Sequence, residues 1–476
     1  MSKSKDKIQI HFCGNNATDV TGSCIWIKTP SIQILLELGL YQSSGSTLEQ
    51  YTINNKHFAF KAKNIDYLFI AHTHGDHLNL SPLLYKRGGH AQIIAPCGTK
   101  QLAEILLRDS SNIMRGDAEE LSVKFKRDYQ PIYDESDVDK CLDYYTEYPM
   151  KEIVQLDEYV KFRFIPSGHI LNSAQIELWI TEGNITKKIV YTSDLGNIHV
   201  NKYFTNVFEP IERADVFIGE STYAREHRVA DTKMRAKDLE KLECSIRQTC
   251  VEQNGRVLIP VFAQDRAQNM LVYIWSIFGN DKTFDVPILI DSPMAQRMCR
   301  AYSNLLDGED AIRWQEALSW QNIHFVEDYV ESREWRNSKR PVVVLSSSGM
   351  LIPKGRSIAW AHNLLPRAND RIIFCGYSTE GSLASVIKEG KQKTITISGD
   401  KIKNKCQVTN LHSFSSHMQY DSLLEYYSSV RTEKIILVHG EMSGKLDFAK
   451  ELQERIFNND NTGKVVVAQR GYELFI

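Results

Sequence analysis

The sequence predicts an α/β protein of more than one domain, on three observations. Short apolar runs ending in Gly, Ser, Asp or His recur along the chain and read as buried strands: IDYLFIAHTH, KIVYTSD, RVLIPVFA, VPILIDSP, PVVVLSSSG, RIIFCGYS and KIILVHGE. Between several of them lie stretches of helical period, such as Leu102, Ile105 and Leu106, or Leu239, Leu242 and Ile246, or Met270, Leu271, Ile274, Trp275 and Phe278. Such alternation is the pattern of α/β architecture. The length of 476 residues exceeds one ordinary core, since about 150 residues per domain suggests two to three.

Composition narrows the function classes. Hydrophobic residues at 42% and aromatics at 10% supply enough burial to exclude disorder as the main state. Lys plus Arg total 57 against 59 for Asp plus Glu, so a net charge of -2 gives no global positive field and any nucleic-acid site must be local. No window approaches about 18 uninterrupted apolar residues, and the start MSKSKDKIQIHF lacks the apolar stretch of a secretory signal. A cytoplasmic protein with no membrane association is the expectation. Nine cysteines without a CxxC pair argue against a thiolate zinc site or a disulfide framework, and read as buried free thiols.

In α/β folds the polar groups that do chemistry sit where strands end and loops begin. Ala71-His72-Thr73-His74-Gly75-Asp76-His77 places three imidazoles and a carboxylate directly after the strand-like YLFI. Extended backbone aims His72 and His74 the same way, and a turn at Gly75 lets Asp76 and His77 swing to a neighbouring point, so one loop can serve two metals. Imidazole nitrogen and carboxylate oxygen suit zinc, with manganese or iron as alternatives. A His-rich surface loop is the ordinary alternative. Against it, His169 in SGHILNSAQIEL, Asp194 after KIVYTS and His439 in KIILVHGE offer further ligands, although each alone reads as a strand-end or turn residue.

These segments resemble, in order, the motifs of the metallo-β-lactamase-fold hydrolases and, within them, the β-CASP group of RNA-processing nucleases. HxHxDH stands at His72 to His77, the third-motif His at His169 and the bridging Asp at Asp194. The three β-CASP markers follow as Glu220 in GESTYA, His417 in SFSSH and His439 in LVHGE. DVTGSC, PVFAQDRAQ, DSPMA, SSSGM and GYSTEGSL are similar too, so the match spans nearly the whole chain. The resemblance implies a first metal on His72, His74, His169 and Asp194, and a second on Asp76, His77, Asp194 and His439, with Asp194 and a water or hydroxide bridging. Two zinc ions roughly 3.5 to 4 Å apart can activate a shared water and clamp an in-line displacement at phosphorus. His417 is the expected general acid, with Glu220 fixing its tautomer, and Asp76 joins them among the catalytic residues because it seats the second metal. His412 is the rival proton donor, at a spacing that does not match the marker. Through the resemblance, His439 favours RNA over DNA.

Three departures stand out. Glu37 in ILLELG replaces the usual Asp and is expected to orient a ligand His. Pro353-Lys354-Gly355 stands for Gly-Gly, and Gln264-Asp265-Arg266 for Val-Gly-Arg. The serines of SSSGM lack the GxSxG arrangement of a nucleophile elbow. Ser347 and Ser348 either present hydroxyls and N–H groups to a phosphate or cap a strand-to-helix turn, and Arg266 joins them as a substrate-binding candidate. Lys388, Lys391, Lys393, Lys401, Lys403 and Lys405, with Lys354 and Arg356 nearby, form either a solvated face or a patch that follows an RNA backbone.

The expected architecture is an αββα metallo-β-lactamase sandwich split in sequence by an inserted α/β β-CASP domain. The first part covers residues 1-205, the insert 206-404 and the C-terminal part 405-476. The expected function is a zinc-dependent ribonuclease, endo- or 5′-exonucleolytic or both, with RNA as partner and room for a homo-oligomer. A small-molecule hydrolase of thioester or lactone type and a non-catalytic RNA-binding subunit are the competing readings.

Overall fold

The computed structural model describes residues 8–43, 45–200, 202–225, 227, 230–353, 355–376, 378, 381–458 and 463–476. They form two compact units, one of residues 1–198, 205–228 and 416–476, the other of 199–204 and 229–415.

The first unit is built on two seven-stranded sheets. One runs, in spatial order, Glu473–Phe475, Gln9–Phe12, Ile25–Lys28, Gln33–Leu36, Tyr67–Phe69, Gln92–Pro96 and Tyr145–Tyr148. The other runs Lys464–Val467, Lys434–Val438, Val216–Glu220, Ile185–Tyr191, Ala174–Glu182, Val160–Pro166 and Val154–Gln155. Successive side chains point to opposite faces, so each strand contributes half its apolar set to the space between the sheets. Ile10, Ile27 and Phe69 meet Phe162, Phe164, Ile176, Ile218 and Ile436 there in one core, where each fully buried side chain contributes about 1.5–3 kcal/mol.

The outer face of the first sheet lies under helices Ser81–Lys86, Thr99–Phe125 and Glu135–Asp143, packed through Leu83, Leu107 and Val138. That of the second lies under Tyr420–Ser429 and Met442–Asn458, through Leu423, Tyr427, Phe448 and Leu452. Four layers, αββα, result. Parallel pairing of Val216–Glu220 with Lys434–Val438, Ile218 opposite Ile436, commits that strand to this unit.

The second unit holds a six-stranded sheet ordered Ile323–Phe325, Ile288–Ile290, Val342–Ser346, Arg256–Pro260, Arg371–Phe374 and Gln407–Asn410, parallel throughout. Its central strands are buried on both faces, which is why RVLIP and VVVLS read as nearly unbroken apolar runs. The chain changes unit after 198, 204, 228 and 415, where 205 and 404 were expected, and the last change comes late because Gln407–Asn410 pairs with Arg371–Phe374. No helix among the described residues is long and apolar enough to cross a membrane.

Candidate metal centre

Strand Tyr67–Phe69 runs into residues 70–74 and then the short helix Gly75–Leu78. Backbone contacts pin this loop from its far side. Leu38 N–H donates to His77 O at 2.9 Å, Ser23 N–H to Asp76 O at 2.8 Å and Leu40 N–H to Gly75 O at 3.0 Å. Gly39 passes so close that a Cβ there would stand 1.6 Å from Asp76 O, so only glycine fits. Gly196 does the same for the other loops: a Cβ on it would stand 1.8 Å from Gly168 O, which draws the His169 turn onto the segment after Asp194. His439 follows strand Lys434–Val438 in left-handed backbone, φ 53°, with its N–H on Asn16 O at 2.7 Å. Such a conformation costs roughly 1–3 kcal/mol and persists where surrounding contacts over-determine it.

Seven side chains converge as a result. His74 Nδ1 and His169 Nε2 stand 3.2 Å apart, and Asp194 Oδ2 lies 3.5 Å from His72 Nε2 and 3.4 Å from His169 Nε2. The other oxygen, Asp194 Oδ1, lies 3.3 Å from His77 Nε2 and 3.4 Å from His439 Nε2. Asp76 Oδ2 approaches the same two nitrogens at 3.5 and 3.3 Å. Thus one carboxylate divides its oxygens between two donor sets, His72, His74, His169 and Asp194 on one side, Asp76, His77 and His439 on the other.

The donors fit a pair of cations. Ring nitrogens face one another at 3.2 and 3.3 Å, His74 with His169 and His77 with His439. His72 Nε2 and Asp194 Oδ1 are buried with no hydrogen-bond partner, at a cost of about 1–3 kcal/mol each that a dication would remove. Glu37, His72 and His77 form a third candidate donor group by proximity. Glu37 meets those rings at their Nδ1 atoms, though, and its oxygens are already filled by donors.

Those donors fix the tautomers. His77 Nδ1–H donates to Glu37 Oε2 at 2.5 Å, and Tyr191 O–H to the same oxygen at 2.6 Å. Ser193 O–H donates to Glu37 Oε1 at 2.8 Å, which leaves Ser193 Oγ to accept from His72 Nδ1–H at 3.1 Å. Thr222 O–H reaches His439 O at 3.4 Å and accepts from His439 Nδ1–H at 2.9 Å. Each ring is left with its Nε2 lone pair facing the cluster.

Electrostatics favour the ligand forms of His72, His74, Asp76 and Asp194. Burial pushes His74 down to about 3 and lowers His72, keeping both neutral. Burial would raise Asp76 and Asp194, but His77 acting on the first, and His439 with His77 on the second, hold both well below the usual carboxylate range. Burial would lower His77 as well, yet Glu37 and Asp194 raise it well above its ordinary value. A bound cation must therefore displace a proton there.

His417 stands beside this cluster, its ring centroid 4.5 Å from that of His169 and 6.1 Å from that of His439. Its Nδ1 lies 3.2 Å from Glu220 Oε1. Glu220, buried at the end of its strand, also accepts Leu195 N–H at 3.2 Å and Thr222 N–H at 2.8 Å, which ties it to the loops of Asp194 and His439. His412 lies in the second unit, exposed, with its N–H on Asp238.

The remaining candidates belong to the second unit. Ser347 Oγ pairs with Ser292 Oγ at 2.6 Å, and Ser348 Oγ accepts Ile352 N–H at 3.2 Å. The following helix Arg356–Leu364 has Gly355 at its N-cap and neither serine caps it through its hydroxyl, although Ser347 O accepts Ser357 N–H at 3.0 Å and Ser348 O accepts Ser357 O–H at 2.8 Å. Arg266 opens helix Arg266–Phe278 and is buried. Arg356 is engaged with Asp291, Lys388 donates to Gly376 O and Lys391 pairs with Glu389. Lys393, Lys401, Lys403 and Lys405 are exposed. Lys354 lies outside the described residues, as do Tyr377, Thr379 and Glu380 of GYSTEGSL. Sequence reasoning missed Tyr191, Ser193 and Thr222. The only signal available in the sequence was the run of hydroxyl residues Tyr191-Thr192-Ser193 where a strand ends, and Ser193 itself lies beyond the strand in left-handed backbone.

Residues 267–387 match the Beta-Casp domain, and residues 401–462 the Zn-dependent metallo-hydrolase RNA specificity domain. A protein named as a ribonuclease in Thermus thermophilus is 28% identical over 446 residues, 92% of this chain and 95% of that one. An RNase J-like protein of Methanocaldococcus jannaschii is 30% identical over 430 residues, 90% of this chain and 91% of its own. Cleavage and polyadenylation specificity factor 73 of Drosophila melanogaster is 27% identical over 98% of this chain and 66% of its own length. A crystal structure of a protein of unknown function from Enterococcus faecalis V583 shares the fold, with a TM-score of 0.54 at 10% identity over 99% of this chain and all of that one. Matched along nearly its whole length by these relatives, and carrying both domain signatures, the chain belongs to the β-CASP family of metallo-β-lactamase-fold nucleases.

Proposed function

We propose that the protein is a metal-dependent ribonuclease that hydrolyses RNA phosphodiester bonds at two zinc ions, with manganese or iron as alternatives. The observation that carries this reading is the division of Asp194, one oxygen toward His72 and His169, the other toward His77 and His439. His72, His74, His169 and Asp194 would hold one ion, and Asp76, His77, His439 and Asp194 the other. Such a pair supplies an activated water and positive charge on both the attacking and leaving oxygens. The names of the relatives and the RNA specificity signature support RNA as the substrate.

The chain's own groups do the rest. His417 gives a proton from Nε2 to the departing sugar oxygen, a contribution of typically about 10²- to 10⁴-fold. Glu220 accepts from Nδ1 and stabilises the imidazolium before transfer. Glu37, Ser193 and Thr222 keep the ligand rings turned inward. Ser347, Ser348 and Arg266 stand just beyond the carboxyl ends of parallel strands, a usual place for ligands in such sheets, and are assigned to the RNA phosphates. Nine free thiols suit a reducing cytoplasm.

The test incubates zinc-loaded protein with end-labelled RNA bearing a 5′-monophosphate or a 5′-triphosphate, beside DNA of the same sequence. Asp76→Ala and His417→Ala serve as variants, with folding checked by circular dichroism. RNA cleavage that either folded variant abolishes or cuts at least about 10²-fold is expected. Internal fragments would mark endonucleolytic action, and mononucleotides from the monophosphate would mark 5′-exonucleolytic action. Intact RNA alongside rapid thioester or lactone turnover would overturn the proposal.

A further inference from the structure

Cys13 and Cys24 take no part in the chemistry above, yet the fold sets them together beside it. Strand Gln9–Phe12 pairs antiparallel with Ile25–Lys28, Phe12 opposite Ile25, and the next position sets Cys13 opposite Cys24. The N–H groups of Cys13 and Gly14 both donate to Cys24 O, at 3.0 and 2.8 Å. Two residues therefore oppose one, a β-bulge of the kind that ends pairing next to functional loops. Directly opposed side chains have Cβ atoms about 4.5–5.5 Å apart, and disulfides need about 3.5–4.5 Å, so a small shift of the bulge suffices. The Cys24 thiol beside it holds the Cys13 thiol below its ordinary value, while Cys13 and burial raise that of Cys24. Cys13 is half-buried and Cys24 buried, so a reagent meets Cys13 first.

The pair also closes the base of a segment that grips the metal centre from outside. Asn16 O receives His439 N–H at 2.7 Å, Asp19 O receives Gly440 N–H at 3.1 Å, and Ser23 N–H holds Asp76 O at 2.8 Å. Asp76 and His439 are two of the side chains of one donor set. Both thiols face the core that contains Leu38 and Leu78, the latter within the helix that carries Asp76 and His77. A disulfide of about 2.05 Å draws the sulfurs closer than any thiol hydrogen bond, and the segment between them must move with it.

We propose that Cys13 and Cys24 are an oxidative modification site, converted by a peroxide or a low-molecular-weight disulfide into a disulfide that loosens the ion held by Asp76, His77 and His439. With hydrogen peroxide, the Cys13 thiolate attacks one oxygen, breaking the O–O bond to give a sulfenic acid and one water. The Cys24 thiol then attacks that sulfur, and its proton leaves with the sulfenic oxygen as a second water. Two thiols lose two electrons and two protons, and the peroxide takes up both. The consequence for the metal rests on the two-ion reading proposed above.

The test treats the full-length, zinc-loaded protein with hydrogen peroxide, blocks free thiols, and maps disulfides by mass spectrometry alongside zinc content and RNA cleavage. A crosslinked Cys13–Cys24 peptide is expected, with loss of one of two zinc equivalents and a fall in cleavage of at least about tenfold, all reversed by dithiothreitol. Cys13→Ser, and Cys24→Ala should the first fold poorly, should keep zinc and activity through the same treatment. Free thiols at both positions after exposed Cys97 and Cys244 have been oxidised would overturn the proposal. So would a crosslink that leaves zinc and cleavage unchanged, or a Cys variant as sensitive to peroxide as the unaltered protein. Failure of the two-ion reading would show differently, as fewer than two zinc equivalents in the reduced protein.

Discussion

Replacing Glu37 with Gln changes one oxygen to an amide nitrogen and leaves the shape of the side chain intact, yet it should cost metal. The carboxylate accepts three hydrogen bonds: Oε2 from His77 Nδ1–H and Tyr191 O–H, Oε1 from Ser193 O–H. Set with its NH₂ at the Oε2 position, the amide would face two donors, and His77 would have to move its proton to Nε2, the atom aimed at Asp194. Set the other way, it donates to Ser193, which must then donate to His72 Nδ1, and His72 carries its proton on Nε2 instead. Either orientation blocks one ligand lone pair. A lost hydrogen bond to a charged group is worth about 1.5–3 kcal/mol. That agrees with the roughly 10- to 100-fold in metal affinity usual for such partners, which is about 1.4–2.8 kcal/mol. Competition against a fluorescent zinc chelator would read the affinity, circular dichroism the fold, and RNA cleavage the activity. Unchanged zinc affinity and turnover in a folded Glu37→Gln protein would refute the tautomer argument.

Two further outcomes are expected. Stripping the metal with EDTA should abolish RNA cleavage while leaving the circular dichroism spectrum intact, because the sheet cores of both units close without the cluster; gross unfolding would contradict this. His74 sits at about 3 in the fold against an ordinary 6.5, so between those values the unfolded chain binds the extra proton and stability falls as pH falls. The metal-free protein should thus lose melting temperature below about pH 6.5 more steeply than its His74→Asn variant, and parallel slopes would count against the half-buried neutral imidazole.

What could be read from the chain alone was the set of side chains, because the chemistry sits at strand ends and the spacing of His72, His74, Asp76 and His77 leaves few arrangements. The convergence of His169, Asp194 and His439 on that loop depends on contacts up to 363 residues apart in sequence, and only the resemblance suggested it. The αββα sandwich and its inserted α/β unit followed from the order of motifs. Their changeover points did not, because Val216–Glu220 and Gln407–Asn410 look like any other buried strand until their partners are known.

The backbone devices were illegible. Left-handed conformations at Glu37, Ser193 and His439 leave no mark in residue type, and Gly39 and Gly196 look like ordinary loop glycines. Tyr191, Ser193 and Thr222 escaped notice because hydroxyl residues at strand ends are common, and their meaning lies in which ring nitrogen they occupy. Arg356, which looks like a free cation in a loop, is committed to Asp291.

In the loaded protein Asp194 should stand between two ions. Anomalous scattering at the zinc edge from crystals of the zinc-loaded protein should show two peaks about 3.5–4 Å apart, one on each carboxylate oxygen. A single peak, or zinc bound away from Asp194, would contradict it.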